Sequence, residues 1–135
     1  MKVLVDTCVW SQVLRYKLPN VELSKKFGAL IKNNKVVIIG PIRQELLSGI
    51  SNKNYFKKLK KFLFPFKDIS LKTEHFEKAA EFSNICRRKG IQGSTVDCLI
   101  CAVAYIENFT IFTIDKDFEN YKKILPIKIL STNLD

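Results

Sequence analysis

Histidine is almost missing from this chain: there is one, His75. A structural zinc centre takes four thiolate or imidazole ligands at short spacings. Beside that histidine stand only four cysteines, Cys8, Cys86, Cys98 and Cys101. Cys98 and Cys101 form a C-x-x-C, but "DCLICAVAYI" reads as the interior of a helix, not as a metal knuckle. Zinc and thiol-redox chemistry are therefore set aside. The thiols fit a reducing compartment, where they serve as small buried hydrophobes, and His75 reads as a surface or structural residue. Long apolar runs are missing too; none approaches the ~20 residues of a membrane helix. The charge at Asp6 comes too early for the apolar region of a signal peptide. A cytoplasmic protein without a membrane span is expected. There are no repeats, linkers or low-complexity segments, and 135 residues make one domain, 1–135, with a real core.

Negative charge is the scarce sign. Thirteen Asp and Glu face twenty-three Lys and Arg, for a formal net charge of +10. Such an excess suggests an anionic partner, and nucleic acid, an acidic protein and a membrane surface are all compatible with it.

What is present is a run of short apolar strands alternating with helices. "KVLV" (2–5), "VVIIG" (36–40), "TIFTI" (110–114) and "IKIL" (127–130) read as strands. Helices are expected over 7–16, with a break at Pro19–Asn20, and over 21–33. A further helix starts at Pro41, and others follow at 52–64, 73–89, 95–108 and 116–125. In the fifth of these, Phe76, Ala79, Ala80, Phe82 and Ile85 are expected to face inward. The pattern predicts an α/β fold with a short parallel sheet covered on both faces.

The few acids sit at telling places. Asp6 follows the first strand and Asp115 the third; Glu45 lies in the opening turns of the helix after the second, and Asp97 in the first turn of the 95–108 helix. Each has a plain reading. Asp6 and Asp115 can cap the helices that follow, "STVD" matches a capping box with Ser94 as cap, and Glu45 suits a helix start. Taken together they read differently. A parallel sheet brings the carboxyl ends of its strands to one edge, where such folds place ligands. Asp6, Asp115 and the helix of Glu45 must share that edge; the position of Asp97 does not follow from topology alone. Carboxylates so crowded need a proton or a cation between them, and all-oxygen donors suit Mg²⁺ or Mn²⁺.

"VLVDT", "PIRQELLSG", "DCLICAVA" and "FTIDKDF" resemble, in order and setting, the four acidic motifs of the PIN domain, and most closely those of the VapC toxins of toxin–antitoxin pairs. The resemblance spans essentially the whole chain and implies a three-layer α/β/α domain. It departs at Cys8, where the family usually has Asn or Ser, and at Cys101, where a small alanine-like residue is common; neither change alters an acid.

Several expectations follow from the resemblance. Asp97 joins Asp6, Glu45 and Asp115 as catalytic, metal-holding residues for Mg²⁺, with Mn²⁺ as a substitute. Asp117 is open between a further member of the cluster and a helix-capping neighbour. Thr7, Ser94, Thr95 and Thr113 are expected to orient carboxylates or water. The implied reaction is hydrolysis of RNA phosphodiesters by a toxin that a VapB-like antitoxin silences and that forms a homodimer; Trp10, Val13, Leu14 and Phe56 are apolar residues for an antitoxin groove or for the core. Arg43, Lys53, Lys57, Lys58, Lys60, Lys61, Arg87 and Arg88, with Lys89, are the cations that would offset the acidic pocket for RNA. The alternative is a catalytically silent PIN-like module that binds RNA or protein.

Overall fold

The computed structural model describes residues 1–15 and 20–130. Four parallel strands form one sheet in the order β2-β1-β3-β4: β1 (Val3–Val5), β2 (Val36–Val37), β3 (Thr110–Phe112) and β4 (Lys128–Ile129). The register pairs Val3 with Val36 and Thr110, and Ile111 with Ile129. Val3, Leu4, Val5, Ile111 and Phe112 are wholly buried, as expected of strands with helices on both faces.

Between strands run α1 (Thr7–Arg15), α2 (Val21–Lys32), α3 (Gly40–Leu47), α4 (Lys53–Leu63), α5 (Thr73–Arg88), α6 (Thr95–Glu107) and α7 (Asp117–Ile124). The chain moves one way along the sheet from β1 to β2 and the other way from β2 to β3 to β4. Right-handed crossovers therefore place α1 and α2 on one face and α5, α6 and α7 on the other. Aromatic packing agrees. Trp10 of α1 meets Phe27 of α2 edge-on at 4.8 Å, and Phe27 reaches Phe112 of β3. On the opposite face Phe82 of α5 meets Tyr105 of α6. The result is the expected three-layer α/β/α arrangement. Trp10 is fully buried and donates its indole N–H to the Val5 carbonyl, so it belongs to the core and not to a groove wall.

Local signals explain most helix ends. Asn20, Asn52 and Ser94 accept the N–H of Leu23, Tyr55 and Asp97 through their side chains, each cap contributing about 1 kcal/mol. Asn108, at φ 60°, ends α6 in the left-handed region and turns the chain into β3. Pro19 and Tyr16, placed by the sequence at the end of the first helix, lie outside the described residues.

Two expectations need correction. Strand β2 covers only Val36–Val37; beyond it Ile38 bridges in parallel to Asp68, which extends the sheet edge with a later segment. The inward face of α5 is also turned. His75, Phe82 and Cys86 are buried, Ala79 is half-buried, and Phe76 and Ala80 are exposed, Phe76 by 53%. The cause is His75. Its Nδ1 accepts the Lys72 N–H and its Nε2 meets Glu107, so both ring nitrogens are satisfied in the interior. Phe76, about 100° further round the helix, is left outside.

Candidate functional site

Asp6 leaves β1 with its N–H still bonded to the Phe112 carbonyl at 2.9 Å, which ties its position to the sheet. The side chain is buried. Its Oδ1 accepts the Thr7 N–H at 2.8 Å, and its Oδ2 accepts the Thr113 hydroxyl at 2.8 Å and the Cys8 thiol at 3.3 Å. Thr113 also accepts the Asp115 N–H at 3.0 Å. One hydroxyl thus fastens the acid after β1 to the backbone of the acid after β3. Asp115 in turn accepts the Asp117 N–H on its Oδ1, the helix-capping role that the sequence allows Asp115.

Asp97 arrives from the other direction. Helix α6 runs into β3, so its N-terminus must begin at the edge where β3 ends. That geometry, invisible from spacing, carries Asp97 to the same edge as Asp115. Ser94 caps the helix, Thr95 is exposed at its first turn, and Asp97 Oδ2 accepts the Tyr121 hydroxyl at 2.8 Å. Asp97, Asp115 and Asp117 each offer a carboxylate oxygen within 4.8 Å of the others. Asp117 is therefore the capped residue and not the cap, and its carboxylate stands with the acids.

Asp6 and Glu45 are not members of that tight trio. Asp6 lies behind it, close enough that its charge acts on Asp97. Glu45 is exposed on α3 and shares a groove of about 480 Å³ with Thr7, Ser11, Pro41, Gln44, Ser48 and Val96. Thr7 and Val96 are the chain neighbours of Asp6 and Asp97, so the groove runs from the acids to Glu45.

The electrostatics show the cost of this crowding. Burial pushes the Asp6 carboxyl above its usual range; its hydrogen bonds from Thr113, Cys8 and Thr7 pull it back, and the charge of Asp115 adds to the rise. Asp97 is raised first by burial and then by Asp6 and Asp115, against the pull of Tyr121 and Ser94. Burial and the Asp6 charge push the Cys8 thiol up to about 11, so near neutral pH it is a neutral donor and not a soft ligand.

Does this set fit a cation? All its donors are carboxylate or hydroxyl oxygens, which suit a hard divalent ion. Thr7 Oγ1 gives a second sign. Among the described residues it is the one buried side-chain polar atom without a hydrogen-bond partner, and it sits where the groove meets Asp6. An orphan hydroxyl costs about 1–3 kcal/mol, which a water or an ion admitted to that buried position would recover. The residues fit.

The cations are placed unequally. Arg43 does not present a free guanidinium. Its Nε bonds Asp68 at 3.0 Å, and its terminal nitrogens bond the carbonyls of Leu63 and Phe66. Lys53, Lys57, Lys58, Lys60 and Lys61 on α4, and Arg87 and Arg88 at the end of α5, are exposed, and no ion pair engages them among the described residues. Tyr121 escaped the sequence reading, because an aromatic three residues after Phe118 looks like core. Both are indeed buried and packed together at 5.1 Å; only the hydroxyl's direction marks Tyr121.

The family model described as "PIN domain" matches residues 3–124. No curated protein sequence matches the chain. Among solved structures, FitAcB from Neisseria gonorrhoeae superposes with a TM-score of 0.79 at 20% identity, covering 96% of this chain and 97% of that one. VapBC2 from Rickettsia felis, bound to a DNA fragment from their promoter, gives 0.78 at 21% identity and covers 97% and 98%. DNA-bound VapBC from Salmonella typhimurium gives 0.78 at 16%, covering 98% and 99%.

Proposed function

The chain belongs to the PIN domain family, and from that premise we propose that it is a divalent-metal-dependent endoribonuclease acting as the toxin of a toxin–antitoxin pair. One observation carries the proposal: Asp97, Asp115 and Asp117 converge within 4.8 Å at the carboxyl edge, with Asp6 buried behind them. These acids would hold Mg²⁺, or Mn²⁺ in its place. When bound, such a cation neutralises charge on the scissile phosphate and makes a water more acidic.

The chain's own groups have separate tasks. Thr113 and Tyr121 fix the orientation of Asp6 and Asp97 through bonds of 2.8 Å. The buried Thr7 hydroxyl, without a partner of its own, would have to turn toward the groove to donate to a phosphate oxygen there. Glu45, exposed on the groove wall, would take the proton of the attacking water. The lysines of α4 and Arg87 and Arg88 raise the local RNA concentration; binding should weaken as salt rises, with a slope of about −0.7 per contact for single strands. The similarity to FitAcB and VapBC complexes supports a small antitoxin as inhibitor; the reading also includes a homodimer and a cytoplasmic setting.

The test is incubation of the full chain with total RNA, with Mg²⁺ or Mn²⁺ and with a chelator, beside Asp97→Asn. Metal-dependent cleavage lost in the variant is the expected result. Cleavage that survives both chelation and the substitution would sink the reading.

A further inference from the structure

The face of α4 that points away from the core ends in an unusual cup. Lys57, Lys60, Lys61 and Phe64 line a depression of about 280 Å³. Their spacing of three, four and seven residues puts them on one side of the helix. Phe64 is 81% exposed, more than any other large apolar side chain among the described residues. A single exposed phenylalanine is ordinary, and Lys60 and Lys61 suit the negative end of a helix. Neither accounts for the cup as a whole.

Two further observations do. The first is charge: α4 carries Lys53, Lys57, Lys58, Lys60 and Lys61 and no acid, and none of these lysines is in an ion pair among the described residues. The second is rigidity. Arg43 bonds the carbonyls of Leu63 and Phe66, so the backbone on both sides of Phe64 is held from α3. An aromatic ring is thus held out into solvent on a clamped support, beside the side chains of three unpaired lysines.

We propose that this cup is a docking platform for single-stranded RNA, with a base stacked on Phe64 and flanking phosphates on Lys57, Lys60 and Lys61. The proposal rests on the ribonuclease reading and adds a subsite outside the acidic groove. Stacking needs an unpaired base, which a duplex does not offer. Arg43 and Glu45 stand two apart on α3 and so face different ways. The platform therefore lies across α3 from the groove. A strand held there would reach the acids only if it extends several nucleotides.

Binding can be measured apart from cleavage, using full-length Asp97→Asn with chelator and a fluorescent 12-nucleotide single-stranded RNA. Phe64→Ala should weaken binding about tenfold, and Phe64→Trp should restore it. The same strand made abasic should bind weakly and show no further loss with Phe64→Ala. Replacing Lys57, Lys60 and Lys61 by Ala should flatten the salt dependence by about 2 in slope. Equal binding by Phe64→Ala, or equal binding of duplex and single strand, would overturn the platform. So would flotation with phosphatidylserine vesicles that depends on Phe64 while RNA binding does not, which would mark a membrane-facing patch. Thermal melts of each variant verify folding. If binding depends on Phe64 but no metal-dependent cleavage occurs, the nuclease reading alone fails; cleavage with binding indifferent to Phe64 removes the platform alone.

Discussion

The Tyr121 hydroxyl donates a 2.8 Å hydrogen bond to Asp97 Oδ2, joining the first turn of α6 to the middle of α7. Burial, and then the neighbouring Asp97 charge, hold the phenol far above its ordinary titration range, so it remains a donor at every pH the protein meets. Tyr121 is a positioning residue that acts through Asp97.

Tyr121→Phe keeps the buried ring and removes that donor. The Asp97 carboxyl, already raised by burial and lowered by this bond, should rise further. The acid limb of the cleavage-against-pH profile should move upward, and activity at neutral pH should fall about 10- to 100-fold, as is usual when a ligand's supporting hydrogen bond is lost. The stability cost should be near 1 kcal/mol. A loss of stability with an unmoved pH profile would reduce Tyr121 to a core residue.

The raised carboxyls of Asp6 and Asp97 make a second prediction, about stability. A group whose pKa is higher in the folded state binds its proton more tightly there than in the unfolded chain. Stability therefore falls as pH rises from the unfolded value of 3.8 through the raised folded value, and stays lower at neutral pH. Asp97→Asn, which keeps an oxygen for Tyr121, should raise the metal-free Tm at pH 7 by roughly 3–5 °C for each kcal/mol relieved while abolishing cleavage. Mg²⁺ should stabilise the native chain and not the variant. Calorimetry with and without chelator measures both; a variant that melts lower than the native chain at pH 7 would refute the account.

The contrast between Asp115 and Asp97 shows what was legible in the sequence. Asp115 ends an apolar, β-branched strand, and parallel topology alone sends it to the carboxyl edge. Asp97 follows a loop, and its arrival depends on α6 running antiparallel to β3, a packing fact with no local signal. The family resemblance supplied it instead. Glu45 lies on the helix that the sequence indicates, yet it stands on the groove wall outside the tight trio. Hydrophobic patterning turns the wrong face of α5 inward because it undervalues a histidine. Residue type says that Phe76 is the better core residue, while the bonds to Lys72 and Glu107 let His75 take the place. Arg43 differs from its sequence expectation for the same kind of reason: a sequence shows charge but not the carbonyls that claim it.

Cys8 offers a chemical test of the site's polarity. The thiol donates to Asp6 Oδ2 and lies 3.5 Å from Thr113 Oγ1. Its pKa, pushed up to about 11 by burial and by Asp6, leaves very little thiolate at pH 7.5. Iodoacetamide should label it far more slowly than a free cysteine of pKa about 8.5. Cys8→Ser should preserve cleavage within about threefold, since the hydroxyl donates to the same oxygen at a shorter optimum. Rapid labelling at pH 7.5, read by peptide mass spectrometry, would mean that the Cys8 thiol does not act as a neutral donor to Asp6.

Arg43 separates a salt bridge from a backbone clamp. Its ion pair with Asp68 is partly exposed, at 22% and 48% of the two side chains, and such pairs contribute less than about 1 kcal/mol. Its bonds to the Leu63 and Phe66 carbonyls are different. They satisfy the end of α4 and join it to the segment that bridges Ile38, and charged hydrogen bonds of this kind are worth about 1.5–3 kcal/mol each where shielded. Asp68→Ala should therefore cost less than about 1 kcal/mol and Arg43→Ala about 2–4. Arg43→Lys should rescue little, because an ammonium cannot span three acceptors in a planar fork. Hydrogen exchange should speed up at Phe66 and Ile69, whose N–H groups bond Leu63 and Ile38, and single-stranded RNA binding should fall with it. Should Asp68→Ala prove as damaging as Arg43→Ala, the ion pair rather than the clamp would be what holds this segment.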